Sequence, residues 1–334
     1  MIKSIYIFLL LTLVFSCGTE KKQVLNEEIL SSLGKKFKTE FSEMANSFEL
    51  KIAEDSANVE AYLGLADSYI LLYVFGYLPR NLSVEKAKRA YDQVIKLDSV
   101  SSDVLKLSGI LSFLDWKWED SKIAFQKAIQ KNPKNLNARH WYSLWLSAMG
   151  RFDEAMSQSD TILTMDTADN YLIGRASLLY FQYRFEEMKP LMIKNIDQNP
   201  DVPWGYDWLG MAYNGLGEHK DAKRTYFKAF ELSDGTVEVG AGLGHALGNA
   251  GEKKLAKQMA DYYAFAARDN YLPPVQRSFV HLGIGEYDKA IDLLEQAYAE
   301  QSWFLIFMQI EHWYDPIKKD ERFIEIMNKM EFPN

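Results

Sequence analysis

The sequence predicts an all-α protein: a right-handed α-solenoid of about seven helix pairs, with capping helices at its N- and C-termini. Two observations predict it. Small or marker residues recur at Ala87, Ser121, Ala155, Met188, Ala222, Ala256 and Ala290, every 33 or 34 residues, a period diagnostic of stacked helical hairpins. Gly150, Gly217, Gly251 and Gly285 recur between the two helices of a unit, where a residue with positive φ can end the first helix. Composition agrees. With 48% hydrophobic and 25% charged residues, the chain carries ample material for a core.

From the N-terminus, Lys3 precedes an apolar run from Ile5 to Phe15. That run is short for a membrane span, which takes about 20 residues, but it suits the apolar stretch of a signal peptide. It ends in Val14-Phe15-Ser16-Cys17, and Cys17 is the sole cysteine in 334 residues, so no intrachain disulfide is possible. The arrangement resembles a bacterial lipobox. The resemblance implies cleavage after residue 16, lipidation of Cys17 and a polar tether over 17–26. Gly18 in the second mature position implies the outer membrane rather than the inner one.

Residues 27–57 are expected to form N-terminal capping helices, and 58–300 the repeat array. The best copy of the repeat is Tyr206-x2-Leu209-Gly210-x2-Tyr213, Gly217, Ala222-x3-Tyr226 and Ala229. It resembles the tetratricopeptide repeat (TPR), with Tyr in the usual Trp slot and Asp234 in the usual Pro slot. Small residues at the Gly210 and Ala222 slots let helix backbones approach, while Leu209, Tyr226 and Phe125 fill the space between units. The first unit is longer than the rest. Its apolar stretch Ile70 to Pro79 reads as an extension of the first helix ending near Gly76, either folded onto the array or left as a patch for a partner. Residues 301–334, with Trp303, Phe304, Phe307, Trp313, Tyr314 and Phe323, depart from the repeat and read as a C-terminal cap.

Three stretches carry a narrower resemblance. These are Ala61 to Tyr69, then Leu114 to Glu119 with Ala138 to Tyr142 and Gly150 to Ala155, and finally Asp315 to Phe323. Together they resemble the C-terminal TPR region of bacterial signalling proteins that carry a winged-helix, adenylate-cyclase or kinase domain ahead of the repeats. Here a lipoprotein-type signal and a short helical lead stand before the array. The resemblance therefore implies a sensor- or scaffold-like module that hands any signal to a partner.

Few residues of the sequence point to chemistry. The glycine-rich run Gly240 to Gly248 lacks the G-x-G-x-x-G spacing of a dinucleotide site and lies in a helical register. The histidines His140, His219, His245, His281 and His312 are scattered over different units and form no metal-ligand motif. No nucleophile motif frames a serine, so no catalytic residue, metal or cofactor is expected and the chain does not read as an enzyme. A net charge of −8 argues against nucleic acid as a partner, since phosphate neutralisation needs a basic surface.

What remains is the concave face, lined in a solenoid by the first helix of each unit. In register, that face is expected to carry His140, Tyr171, Phe181, Trp204, Asp207, Asn214 and His245 as a groove for a peptide or protein partner. Trp and Tyr are its expected anchors. The expected function is a non-catalytic interaction module or scaffold, held to the membrane only by its lipid. The alternatives are a structural subunit of an outer-membrane assembly or secretion complex, and an accessory lipoprotein of polysaccharide uptake.

Overall fold

A computed structural model describes residues 32–97, 100–166 and 171–333. The signal segment, Cys17 and the tether lie outside the described residues. The described part is a TPR-type α-solenoid. A leading helix α1 (Lys35–Glu54) is followed by seven antiparallel pairs. They are α2 (Val59–Val74) with α3 (Arg80–Leu97), α4 (Ser102–Leu114) with α5 (Trp118–Lys131), and α6 (Leu136–Ala148) with α7 (Phe152–Met165). Next come α8 (Leu172–Phe181) with α9 (Phe185–Gln198), and α10 (Pro203–Gly215) with α11 (His219–Leu232). The last two are α12 (Val237–Asn249) with α13 (Lys253–Ala266), and α14 (Pro274–Ile284) with α15 (Tyr287–Ala299). Two 3-10 turns, Trp303–Phe307 and His312–Ile317, lead to a final helix α16 (Glu321–Lys329).

The two helices of a pair begin differently, and the sequence explains how. Several first helices start at a side-chain cap: Asn58, Ser101, Asn135 and Thr236 each accept from the backbone N–H three residues on. Pro203 and Pro274 open two others, at a position whose N–H has no helical partner anyway. The second helices α5, α7, α9, α11, α13 and α15 have no side-chain cap. All of these but α13 place carboxylates in the first turn instead, as Glu119 and Asp120, Asp153 and Glu154, or Glu186 and Glu187, where the positive end of the helix dipole stabilises them.

All seven marker residues are fully buried, each 0% exposed. In the second unit the reason is visible, because the Ser121 hydroxyl donates to the Gly109 carbonyl at 2.9 Å, which brings α5 against the backbone of α4. Between units, α12 and α14 approach so closely at Gly248 and Gly283 that a Cβ on Gly248 would lie 2.2 Å from the Gly283 carbonyl oxygen. Only glycine permits that crossing. The joins between the two helices of a pair use positive φ throughout. Gly76, Gly150, Gly217, Gly251 and Gly285 adopt 71°, 70°, 74°, 81° and 81°, and Trp116 and Tyr183 hold 59° in the second and fourth units.

The first helix ends at Val74 with Gly76 just beyond it. The apolar stretch after Ile70 is folded inward: Leu72, Tyr73 and Tyr77 are buried, and Phe75 packs on Phe41 of α1 at 5.4 Å. This stretch belongs to the core rather than to an exposed patch.

Both termini close the array. At the front, the Gly34 amide donates to the Asp234 carbonyl at 2.7 Å, so α1 reaches from the first pair to the turn after the fifth. Gly76 sits against Pro273, close enough that a Cβ would meet the proline ring at 2.4 Å, and the first pair thus meets the start of the seventh. At the back, residues 301–334 do more than the expected cap. Helix α16 covers α15, with Arg322 paired to Asp292 and Glu295 at 2.5 and 2.7 Å. The segment before it runs back along the inner side of the array. Trp303 packs on Phe113 and Trp141 at 5.8 and 5.6 Å, Phe307 stacks on Phe181 at 5.0 Å, and Gln309 donates to the Ala148 carbonyl at 2.7 Å. The Tyr73 hydroxyl donates to the Gln301 carbonyl at 2.6 Å, and the Trp118 indole to that of Met330 at 3.1 Å. A segment with so many aromatic groups could not stand in water alone, and the inner faces of the first helices are where it buries them. Among the described residues no helix is long and apolar enough to cross a membrane.

Candidate functional site

With the C-terminal segment laid along the inside, the concave face is no open trough. It retains a cavity of about 420 Å³ on the axis. Five first helices wall it: His140 and Leu144 from α6, Tyr171 at the start of α8 with Ile173 and Phe181 within it, Trp204, Trp208 and Met211 from α10, Glu238 from α12, and Gln276 and Phe279 from α14. The end of α2 adds Phe75, and the returning segment adds Trp303, Phe304, Phe307, Glu311 and Trp313.

Four of the seven residues expected to line the groove therefore face this cavity: His140, Tyr171, Phe181 and Trp204. Tyr171 and His140 are neighbours, with rings 5.7 Å apart, and the Tyr171 hydroxyl donates to Asn137 at 2.7 Å. Trp204 lies between Phe37 of α1 and Phe75, at 5.5 and 5.0 Å. It lines the cavity and also pins the leading helix to the fifth pair.

Asp207, Asn214 and His245 do not line it. All three are buried, at 1%, 7% and 7% exposure, and form the layer behind the wall. The amide of Asn214 lies 3.1 Å from Nδ1 of His245, and the His245 ring stacks on Trp313 at 4.2 Å and 17°. At His245, the slot that would face a ligand in an open array is covered by Trp313 of the chain's own C-terminal segment. Within α10 the cavity sees positions 204, 208 and 211, keeping the expected Trp204 and meeting Trp208 in place of Asp207.

The electrostatics of this interior are unusual because its charges lack ordinary partners. Burial, together with the nearby Asp207, pushes the carboxyl of Glu238 up to about 8. Burial pushes Asp207 up to about 7, and one oxygen of each has no hydrogen-bond partner. Burial also pushes Glu311 up to about 7, against the pull of donors from the Trp313 amide and the Tyr180 hydroxyl, which reach it at 2.9 and 2.8 Å. Removal from water disfavours the charged form in each case. The same cause lowers the imidazoles: His140 to about 4, His312 to about 4, and His245, next to His312, to about 3. His140 touches the cavity but is shielded from bulk water, and stays neutral at pH 7. No Lys or Arg lines the cavity.

Trp208, Glu238, Gln276, Phe279 and Glu311 are not among the residues expected from the sequence, and Trp303, Phe304, Phe307 and Trp313, expected only as a cap, line the cavity too. For Glu238 a signal existed, since Tyr171, Trp204 and Glu238 are spaced by 33 and 34 residues and so occupy one slot of the repeat. Trp208 lies one helical turn beyond Trp204. Glu311 and Trp313 stand outside the repeat, and nothing in its period could place them. Among the described residues no group of three or more His, Cys, Asp or Glu is placed to hold a metal ion.

Comparison with known proteins adds the fold's relatives. No protein-family model matches the chain, and no curated protein matches it. Among solved structures it is similar to a chain of the APC/C hetero-tetramer Cut9–Hcn1, with a TM-score of 0.60 at 12% identity. That likeness covers 87% of this chain and 52% of the other, so the chain spans about half that protein's length. It is also similar to a tetratricopeptide repeat protein from Parabacteroides merdae, with a TM-score of 0.51 at 12% identity, over 81% of this chain and 98% of that one. At such identity the likeness establishes the fold.

Proposed function

We propose that this TPR-type solenoid is a non-catalytic interaction module, lipid-anchored through Cys17 in the bacterial cell envelope, whose concave side receives a peptide or protein partner. The observation that carries the reading is intramolecular. The inner face already holds a polypeptide segment, residues 303–313, through the aromatic anchors Trp303, Phe307 and Trp313 and side-chain hydrogen bonds at Gln309 and Glu311. Aromatic anchors seated in pockets, with a few hydrogen bonds setting register, are the means by which such faces bind peptides. Tyr171, Trp208 and Phe304 line the cavity and remain partly accessible, so a partner can contact them without displacing the segment. The anchor is supported by the run Val14 to Cys17, and the outer-membrane location by Gly18.

Co-purification from gently solubilised membranes, read by mass spectrometry, tests the reading. Tyr171→Ala and Phe304→Ala are expected to lose the partner while keeping the wild-type helical spectrum and melt. Phe265→Asp, on a side chain 61% exposed in α13, is expected to retain it. The opposite pattern would place recognition on the outer helices and overturn the groove reading. Cys17→Ser is expected to release the protein from the membrane pellet and abolish lipid labelling.

A further inference from the structure

The axial cavity combines features that a peptide groove does not require. Its wall carries two carboxyls, Glu238 and Glu311, and no cationic side chain. Glu238 Oε2 and Gln276 Oε1 are buried without a hydrogen-bond partner, and Gln276 is only 2% exposed. Both residues line the cavity, so two of its polar positions are acceptors in want of donors. The rest of the wall is largely aromatic, with Trp204 and Trp208 from α10 and Trp313 from the returning segment.

An uncompensated carboxylate in an apolar interior costs several kcal/mol, and the group either takes a proton or finds a cation. An indole face attracts cations through its quadrupole, most strongly where water is excluded. Anionic ligands are disfavoured by the same carboxyls. A sugar would need many donors and acceptors around it, and most of this wall is apolar. The volume of about 420 Å³ falls within the roughly 300–1,000 Å³ usual for small-molecule sites.

We propose that the axial cavity is a binding site for a small organic cation, an alkylammonium or quaternary ammonium group, held against the indole faces of Trp204, Trp208 and Trp313. Glu238 and Glu311 supply the counter-charge, and where the cation carries N–H groups Gln276 accepts from one of them. The site shares Trp208 with the proposed partner contact, but it needs no partner to form, because its ligand is small and its walls belong to this chain alone.

The test uses the full-length, detergent-solubilised protein with tetramethylammonium, choline and butylamine as probes, followed by thermal shift and calorimetry. 3,3-Dimethylbutan-1-ol, the uncharged analogue of choline, and glucose serve as controls. At least one of the three cations is expected to bind saturably and to raise the melting temperature, with affinity at least about tenfold above the uncharged alcohol. Glu238→Gln and Glu311→Gln are each expected to weaken that binding by about tenfold with the fold intact. Trp208→Leu, which keeps an apolar wall but removes the indole face, is expected to weaken it as well, and serves if either glutamate variant fails to fold. Equal binding of the alcohol and choline, preferential binding of glucose, unchanged affinity in folded variants, or no saturable binding of any of the three cations would each overturn the proposal.

Discussion

Trp116 stacks on Tyr298, with ring centroids 5.4 Å apart and planes 30° from parallel. Trp116 holds φ at 59° in the join of the second pair, where most other pairs carry glycine, and Tyr298 lies in the last helix of the array. Tyr183, the other non-glycine residue at such a join, is engaged with the C-terminal segment. Its ring lies 4.9 Å from that of His312, and its hydroxyl donates to Asp315 at 3.2 Å. The repeat loses its glycine where a side chain at the turn reaches a late part of the chain, α15 for Trp116 and the returning segment for Tyr183.

That arrangement predicts an inverted substitution series. A left-handed conformation costs a non-glycine residue roughly 1 kcal/mol. Trp116→Ala loses the stacking and keeps the strain, while Trp116→Gly loses the stacking and relieves it. Trp116→Gly is therefore expected to be more stable than Trp116→Ala by about 1 kcal/mol. Denaturant melts of the two variants decide it, and an alanine variant at least as stable would refute the strain account.

Ala222, 0% exposed, lies where two helices meet. Ala222→Leu is expected to overpack that contact and cost about 1–3 kcal/mol. Hydrogen exchange should show the loosening concentrated in the fifth and sixth pairs, because solenoid units couple mainly to neighbours. An unchanged thermal melt would show that position 222 is not a packing slot.

Trp204→Ala is expected to cost about 2–4 kcal/mol, since the indole packs between Phe37 and Phe75 and its removal leaves a gap. Phe37→Ala should lower stability by a similar route without altering the wall of the cavity, of which Phe37 is no part. Comparing the two by chemical denaturation and by ligand binding separates the structural share of Trp204 from its share in recognition. Equal melts of Trp204→Ala and wild type would exclude the structural role.

Stability should also depend on pH in a particular way. Asp207, Glu238 and Glu311 have folded-state values near 7, 8 and 7, above their unfolded values. The folded state therefore holds protons that the unfolded state releases, and stability falls as pH rises through these values. His140, His245 and His312 have folded-state values near 4, 3 and 4, below their unfolded value, so they favour the folded state as pH rises toward about 6.5. The two sets oppose each other between about pH 4.5 and 6.5, and the carboxyls act alone above that. The melting temperature is expected to be nearly level from about pH 5 to 6.5 and to fall by pH 8, a loss on the order of 2–3 kcal/mol. Glu238→Gln should flatten that fall. A wild-type melt independent of pH from 6.5 to 8 would show that these carboxyls are not held protonated.

Much of the fold was legible because helical repeats declare themselves through spacing. Ala87 to Ala290 marked the second helices, and the glycines marked the joins, since each answers a local requirement for close approach or positive φ. The interior was less legible. Spacing places a side chain on the face of its helix, but whether that face meets solvent depends on what else the chain lays against it. His140, Tyr171, Phe181 and Trp204 remained at the cavity. Asp207, Asn214 and His245 lie behind it, and His245 is covered there by Trp313, from residues beyond the last repeat with no period of their own.

The double closure constrains the number of units. An open solenoid can gain or lose a unit at little cost, since each copy meets only its neighbours. Here Gly76 must meet Pro273, Gly34 must reach Asp234, and the segment from Trp303 to Met330 must lie along a lumen of matching length. Duplicating a 34-residue unit would carry those partners out of reach of one another, so this array cannot grow by the tandem duplication that lengthens open repeat proteins.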